Sequence, residues 1–214
     1  MVIKVDMDSY IMGLLATDGS TRVYNRKRDN GISYFSKIEL SDRQLIEDLA
    51  DYLNLELNYR KRVIANKERE YWSVGIPSKL IKDDGKYLVK GRPDIKKWYD
   101  MCEDKNSFIR GMFDGDGCVS HHPYNNKFLR IGVSLNSNSP DLLDIWDEYC
   151  HQNNITLSKY YDKRGSGSWY ISINSKEDVF KFYTLIYKNR PNLYLKRKYD
   201  IFIKNGYPLM ETLM

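Results

Sequence analysis

One short stretch occurs twice in the 214 residues and constrains the fold more than any other feature: Tyr10-Ile-Met-Gly-Leu-Leu-Ala-Thr-Asp-Gly-Ser20 and Phe108-Ile-Arg-Gly-Met-Phe-Asp-Gly-Asp-Gly-Cys118. Each copy reads as a short apolar helix closed by Asp-Gly. Gly13 and Thr17 in the first, and Gly111 and Gly115 in the second, stand four apart and line one helix face. Such faces let two helices pack backbone to backbone. Asp18 and Asp116, each just before Gly19 or Gly117, then arrive side by side at one end. Two carboxylates held together need a proton or a metal ion to neutralise them.

The rest of the chain reads as the same order of elements, twice. Asp8 and Ser9 are N-cap types, so the first helix is expected to start there and to stop at Asp18-Gly19. Residues 20–29 read as a strand, Asp29-Asn30-Gly31 as a turn, and 32–40 as the return strand, with Ile38 and Leu40 on one face and Lys37 and Glu39 on the other. Ser41 is expected to cap a helix to Leu53. A second hairpin follows, over 57–65 and 70–76, with Trp72, Val74 and Ile76 inward, then a short helix from Pro77 to Lys82. Residues 84–105 form a structured join with a helix over 94–101.

In the second half, Asn106 or Ser107 is expected to cap the motif helix, followed by strands at 118–124 and 128–136 and a helix over 140–152. A hairpin joins 156–163 to 168–174, and helices follow at 176–187 and 192–204. The ends of the halves share an Arg-Pro start at Arg92 and Arg190 and a Tyr-Asp finish at Asp100 and Asp200. The expected fold is therefore α+β: two tandem α-β-β-α-β-β-α repeats, 1–83 and 106–214, related by pseudo-twofold symmetry. Their motif helices meet at the interface, and their antiparallel sheets form a saddle.

Composition narrows the class. Hydrophobic residues at 42% and charged residues at 29% describe a globular chain with core enough for one large domain or two small ones. A formal net charge of +5 suits a nucleic-acid partner. The 18 tyrosines suit a large amphipathic contact surface, with a tyrosine-rich core as the plainer alternative. Cys102, Cys118 and Cys150 are odd in number and lack Cys-x-x-Cys spacing, which reads as reduced thiols inside a cell. Cys118, His121 and His122 have no fourth partner at zinc-site spacing. The N-terminus is too short and acidic for a signal or transit peptide, and no apolar run approaches the ~20 residues that span a membrane. The expected location is the compartment of synthesis, cytoplasmic or organellar.

Residues 11–19 and 109–117 resemble the LAGLIDADG motif of homing endonucleases. The second copy agrees at Gly111, Asp114, Asp116 and Gly117. The first agrees at Gly13, Leu14, Asp18 and Gly19 and carries Ala16 where the pattern usually has an acid. The resemblance is to the single-chain, two-motif class, which acts as a monomer. It implies a sequence-specific endonuclease that hydrolyses one phosphodiester on each strand of a long, imperfectly palindromic DNA duplex, across the minor groove, leaving short 3′ overhangs.

The same resemblance implies Mg2+ as cofactor, with Mn2+ or Ca2+ substituting in binding. Asp18 and Asp116 are then its ligands and the catalytic acids, joined by the backbone carbonyls of Ala16, Gly115, Gly19 and Gly117. Magnesium suits carboxylate and phosphate oxygens together with water, and such an ion can activate a water and stabilise a leaving oxygen. The family also places lysines near the metal; the best matches are Lys96 and Lys196, with Lys198 as a substitute. The alternative of the same fold is an RNA maturase, with group I intron RNA as partner, or a DNA-binding regulator that does not cut.

Twofold protein symmetry matches the symmetry of a duplex. Arg22, Tyr24, Arg26 and Arg28 lie at even offsets from Asp18, where the resemblance puts groove-reading side chains. Arginine can bind guanine O6 and N7 together. The polar faces of the other strands offer Ser33, Lys37, Glu39, Arg60, Arg62, Arg69 and Ser73. In the second half the matching set is Ser120, His122, Tyr124, Arg130, Ser134, Lys159, Tyr170 and Ser172. This second face is less basic, so the two half-sites are expected to differ and to be bound unequally.

Overall fold

The two glycine-bearing stretches end two helices that run side by side in the same direction. The structure, a computed structural model, describes residues 2–25, 32–76, 88–89, 92–124, 128–165, 167–188, 191–205 and 207; for 2–8, 23–25, 32–34, 88–89, 92–93, 121–124 and 128–130 it describes the backbone alone. Helix α1 (Val2–Asp18) leads into strands β1 (Gly19–Asn25) and β2 (Ile32–Leu40), helix α2 (Arg43–Leu53), and strands β3 (Leu57–Ile64) and β4 (Lys67–Ile76). The join holds a short pair, β5 (Leu88–Val89) and β6 (Arg92–Pro93), and helix α3 (Ile95–Met101). The order then repeats as α4 (Lys105–Asp116), β7 (Gly117–Tyr124), β8 (Phe128–Ser137), α5 (Pro140–Gln152), β9 (Ser158–Asp162), β10 (Ser168–Ile173), α6 (Lys176–Tyr187) and α7 (Lys196–Lys204).

Both halves build a four-stranded antiparallel sheet in the same spatial order, β1-β2-β4-β3 and β7-β8-β10-β9. The expected pair of α+β repeats is the observed architecture. Period-two alternation decides which face is covered. In the first sheet Ile38, Val74 and Ile76 are buried beneath the helices, with Leu45, Ile46, Leu49 and Ala50 of α2 above them. In the second, Val119, Ile131, Val133, Leu135, Ile171 and Ile173 do the same under Leu142, Ile145, Trp146 and Tyr149 of α5. Phe113 of α4 anchors the second core, 5.4 Å from Phe182 and 6.3 Å from Trp146, ring centre to ring centre. Tyr10, Tyr99, Tyr149, Tyr183, Tyr187 and Tyr207 are all buried, so much of the tyrosine content builds core rather than contact surface.

Several expected boundaries move. Helix α1 begins at Val2, not Asp8, because residues 2–8 contain no glycine or proline to stop it. Helix α2 is entered from Asp42 rather than Ser41, without a side-chain cap bond. The cap of α4 is Asp104, which accepts from the Ser107 backbone N–H at 3.0 Å and from its hydroxyl at 2.7 Å, so Ser107 is a donor to the cap and not the cap itself. Helix α7 starts at Lys196 instead of Asn192, since the preceding residues bend to bury Leu193 and Leu195, and Leu195 itself is extended. The β3–β4 hairpin closes through Ala65 and Asn66, both at positive φ (50° and 61°), the geometry of a two-residue turn matched to strand twist. The helix expected over 77–82 lies outside the described residues. Among those described, no helix is long and apolar enough to cross a membrane.

Candidate catalytic site and nucleic-acid interface

Glycine makes the α1–α4 contact possible. A Cβ on Gly13 would lie 2.0 Å from the Phe108 carbonyl oxygen, and one on Gly111 would lie 2.2 Å from that of Tyr10. At the far end, a Cβ on Gly115 would meet Thr17 Oγ1 at 2.0 Å and Asp18 Oδ2 at 3.0 Å. The Asp18 carboxylate thus rests against the residue just before Asp116. Both helices stop at Asp-Gly as expected, and neither Gly19 nor Gly117 has a positive φ. They are glycine because the strand leaves so close to the last helical turn: a Cβ on Gly117 would come within 2.6 Å of the Phe113 carbonyl oxygen, and one on Gly19 within 2.2 Å of that of Leu15.

Two environments separate the acids of this region. The Asp18 carboxyl is pushed up to about 6, first by burial and then by repulsion from Asp116, with Lys198 and Arg197 pulling the other way. Burial also raises Asp116, opposed by Lys198. No described residue donates a hydrogen bond to either carboxylate. Asp114 is the opposite case: fully enclosed, it accepts from Tyr10 Oη at 2.9 Å, Tyr187 Oη at 2.7 Å and the Leu195 backbone N–H at 2.7 Å. Asp114 therefore ties α1, α4, α6 and the approach to α7 together, while Asp18 and Asp116 are left open to a cation. Two carboxylates that accept from none of the described residues fit a divalent ion that completes its shell with phosphate and water. Among the described residues no cluster of three or more acids, histidines or cysteines competes for that ion.

Lys198 is the lysine that reaches the acids. It is buried, and its Nζ donates to the carbonyls of Phe113, Asp114 (2.8 Å) and Gly115 (3.2 Å) at the C-terminal end of α4. All three of its protons are used on an end that carries partial negative charge. Burial brings its ammonium down to about 8, against the pull of Asp114. Lys96 lies on α3 with its Nζ on Glu148 and 3.5 Å from Asp100, and Lys196 is exposed and paired with Asp200 at 2.6 Å, so neither named lysine joins the acid pair. Of the backbone groups, the Gly115 carbonyl is already taken by Lys198, and Ala16 is partly buried.

Four further residues shape this centre; the sequence marks Asp114 only as a motif match and Lys198 only as a substitute, and gives Arg110 and Arg197 no role. Asp114 and Lys198 form the buried polar brace. Arg110, also buried, donates to the Leu193 and Ile186 carbonyls at 3.1 and 3.0 Å and stacks 5.2 Å from the Tyr10 ring. Arg197, held at 2.8 Å by Asp42 of the first repeat, adds positive charge near Asp18. The available signal was comparison between the copies: Ala16 stands where the second has Asp114, and Trp98 stands where it has Lys198 in the shared Tyr-Asp segment. Acid and lysine are present together in one half and absent together from the other.

The sheet faces turned away from the helices flank the acids. In the first repeat a groove of about 880 Å³ is lined by Asp18, Arg22, Lys37, Glu39, Arg60, Arg62 and Ser73 among others. Register places Arg69 on the same face, opposite Arg62, and Tyr24 opposite Ser33. Arg26 and Arg28 lie outside the described residues. In the second repeat Ser120, Ser134, Tyr170 and Ser172 share the outward face, with Ser134 Oγ 2.8 Å from Tyr170 Oη, and His122 opposes Arg130 in the register. Lys159 is a correction. It opposes the inward Ile171 and pairs with Asp147 of α5 at 2.8 Å, on the helix side; the outward residue is its neighbour Tyr160, stacked on Tyr170 at 4.9 Å.

Comparison with known proteins agrees with this architecture. Residues 103–187 match the LAGLIDADG-like domain. Among solved structures, the homing endonuclease I-WcaI bound to its DNA recognition sequence superposes with a TM-score of 0.63 at 16% identity, covering 92% of this chain and 86% of that one. I-DmoI in complex with DNA and Ca gives 0.57 at 16% identity, over 94% of this chain and 99% of that one. I-SmaMI bound to an uncleaved DNA target in the presence of calcium ions gives 0.57 at 12% identity, over 96% and 92%. Residues 103–187 thus resemble a LAGLIDADG-like domain, and along nearly its whole length the chain shares the fold of these homing endonuclease structures.

Proposed function

We propose that this chain is a sequence-specific endonuclease that cuts both strands of a DNA duplex as a monomer. The observation that carries the reading is the convergence of Asp18 and Asp116, without a hydrogen-bond donor among the described residues, at the end of the packed α1 and α4. A groove lined with arginine flanks them. The duplex would lie across the two outward sheet faces, with each carboxylate serving one strand. Structures of the same fold were obtained with DNA and calcium or manganese, which supports a divalent ion here, and magnesium is the natural cellular choice. When bound, such an ion acidifies the attacking water and stabilises the leaving oxygen.

The protein residues set the geometry. Gly115 lets Asp18 approach, Asp114 fixes the helix ends, and Lys198 holds the last carbonyls of α4 and thereby the position of Asp116. Arg22 and its neighbours supply phosphate and base contacts. A maturase or a silent regulator would not require two carboxylates that no described residue engages. The test is a magnesium-dependent cleavage selection on a randomised duplex library: recovery of one long site cut on both strands supports the reading, and binding without cutting of any duplex contradicts it.

A further inference from the structure

Glu39 stands apart on the first sheet face. Reading the register outward across the four strands gives Arg22, Lys37, Arg60, Arg62, Lys67 and Arg69, and Glu39 is the sole carboxylate at an outward position of these strands. Glu68 and Glu70 fall on the other parity, beside Lys61. Glu39 accepts from Lys37 Nζ at 2.7 Å and, through its other oxygen, from both Arg60 and Arg62. Its side chain is only 13% exposed, while Arg60 and Arg62 are 47% and 41% exposed, so the acid sits beneath the cations it holds.

Resting on the nuclease reading above, we propose that Glu39 is a specificity-determining residue: an internal counter-ion that keeps Lys37, Arg60 and Arg62 from engaging phosphate indiscriminately. Any random duplex offers these cations the same uniform phosphate attraction, and taking it means breaking charge-assisted bonds to Glu39. A matched site replaces those bonds with base contacts, bidentate for an arginine on guanine, and offers Glu39 a cytosine amino group to accept from. Glu39 therefore weakens binding to random sequence more than binding to the target. Arg69 lies on the same face opposite Arg62, outside this set of contacts, and remains available for general attraction.

The test compares wild type, Glu39→Gln and Glu39→Asp by fluorescence anisotropy on a random-sequence duplex and on the duplex recovered by cleavage selection, in calcium, across a salt series. Glu39→Gln is expected to bind random duplex about 3- to 10-fold more tightly, with a salt slope steeper by about 1 to 2, and to lose discrimination. Glu39→Asp keeps the charge but draws it back from the cations, so it is expected to move in the same direction by less. Unchanged random-duplex affinity and slope in both variants, or an equal loss on both duplexes, would overturn the inference. Failure of wild type to bind any duplex would instead overturn the nuclease reading and this inference with it.

Discussion

The hydroxyl of Tyr10 in the first repeat donates to the Asp114 carboxylate of the second at 2.9 Å, inside the contact between the two motif helices. Burial and Asp114 together raise the Tyr10 phenol well above its ordinary range, so the proton stays on the tyrosine. Asp114 collects two further donors, and an asparagine there would turn an amide N–H₂ toward at least one of them. Asp114→Asn is expected to lose about 1–3 kcal/mol of stability in urea unfolding, and Tyr10→Phe about 1 kcal/mol. Unchanged midpoints would show that these bonds do not brace the helix pair.

Backbone contact at the helix pair is equally testable. Gly111→Ala puts a methyl group 2.2 Å from the Tyr10 carbonyl, a fixed backbone atom, and is expected to cost about 3 kcal/mol. Gly165, at φ +62° with open space around it, is the control: alanine there strains only its own backbone, at about 1 kcal/mol. Similar losses at the two positions would argue against the close approach.

Stability should depend on pH through Asp18. Its carboxyl is raised from 3.8 to about 6 in the folded chain. Between those values the folded state holds more of the proton than the unfolded state, so stability falls as pH rises through the window and levels off above it. Asp18→Asn removes that dependence. Without divalent ions its melting temperature is expected to exceed wild type near neutral pH, the gap closing as pH falls below about 4. A gap constant across pH would contradict the assigned environment.

The lysines separate by position. Lys198→Met leaves the carbonyls of Phe113, Asp114 and Gly115 without their donor, frees the end of α4, and is expected to slow cleavage by about 100-fold. Lys96→Met and Lys196→Met remove pairs with Glu148 and Asp200 and are expected to leave the rate within about 2-fold of wild type, since surface ion pairs contribute little. Equal effects at Lys196 and Lys198 would mean that α7 is engaged differently when DNA is bound.

The repeated fold and the converging acids were legible because both follow from short-range pattern. Glycine at spacing four marks a helix face, and period-two alternation marks a sheet face. What escaped depended on one-residue offsets. Alternation alone puts Lys159 on the outward face, but the pairing of Tyr160 with Tyr170 sets the opposite parity, and a single step exchanges the faces of a strand. Its place in the repeated segment, matching Lys96, favours Lys196 over Lys198. Which lysine turns inward was decided by the late start of α7, fixed by Leu195 bonding to Asp114, a contact between residues far apart in the chain. Glu39 could be placed on its face from alternation, yet its partners come from β2 and β3, which only the register brings together.

The most direct measurement places wild type and the Asp18→Asn, Asp116→Asn double variant side by side on the duplex recovered by selection, scoring binding in calcium and cutting in magnesium. The account predicts that the variant binds with an affinity within about 3-fold of wild type and cuts neither strand, because the acids act on the reaction and not on the groove contacts. Cutting by the variant at the wild-type rate, or loss of binding together with cutting in a protein that still unfolds cooperatively, would contradict it.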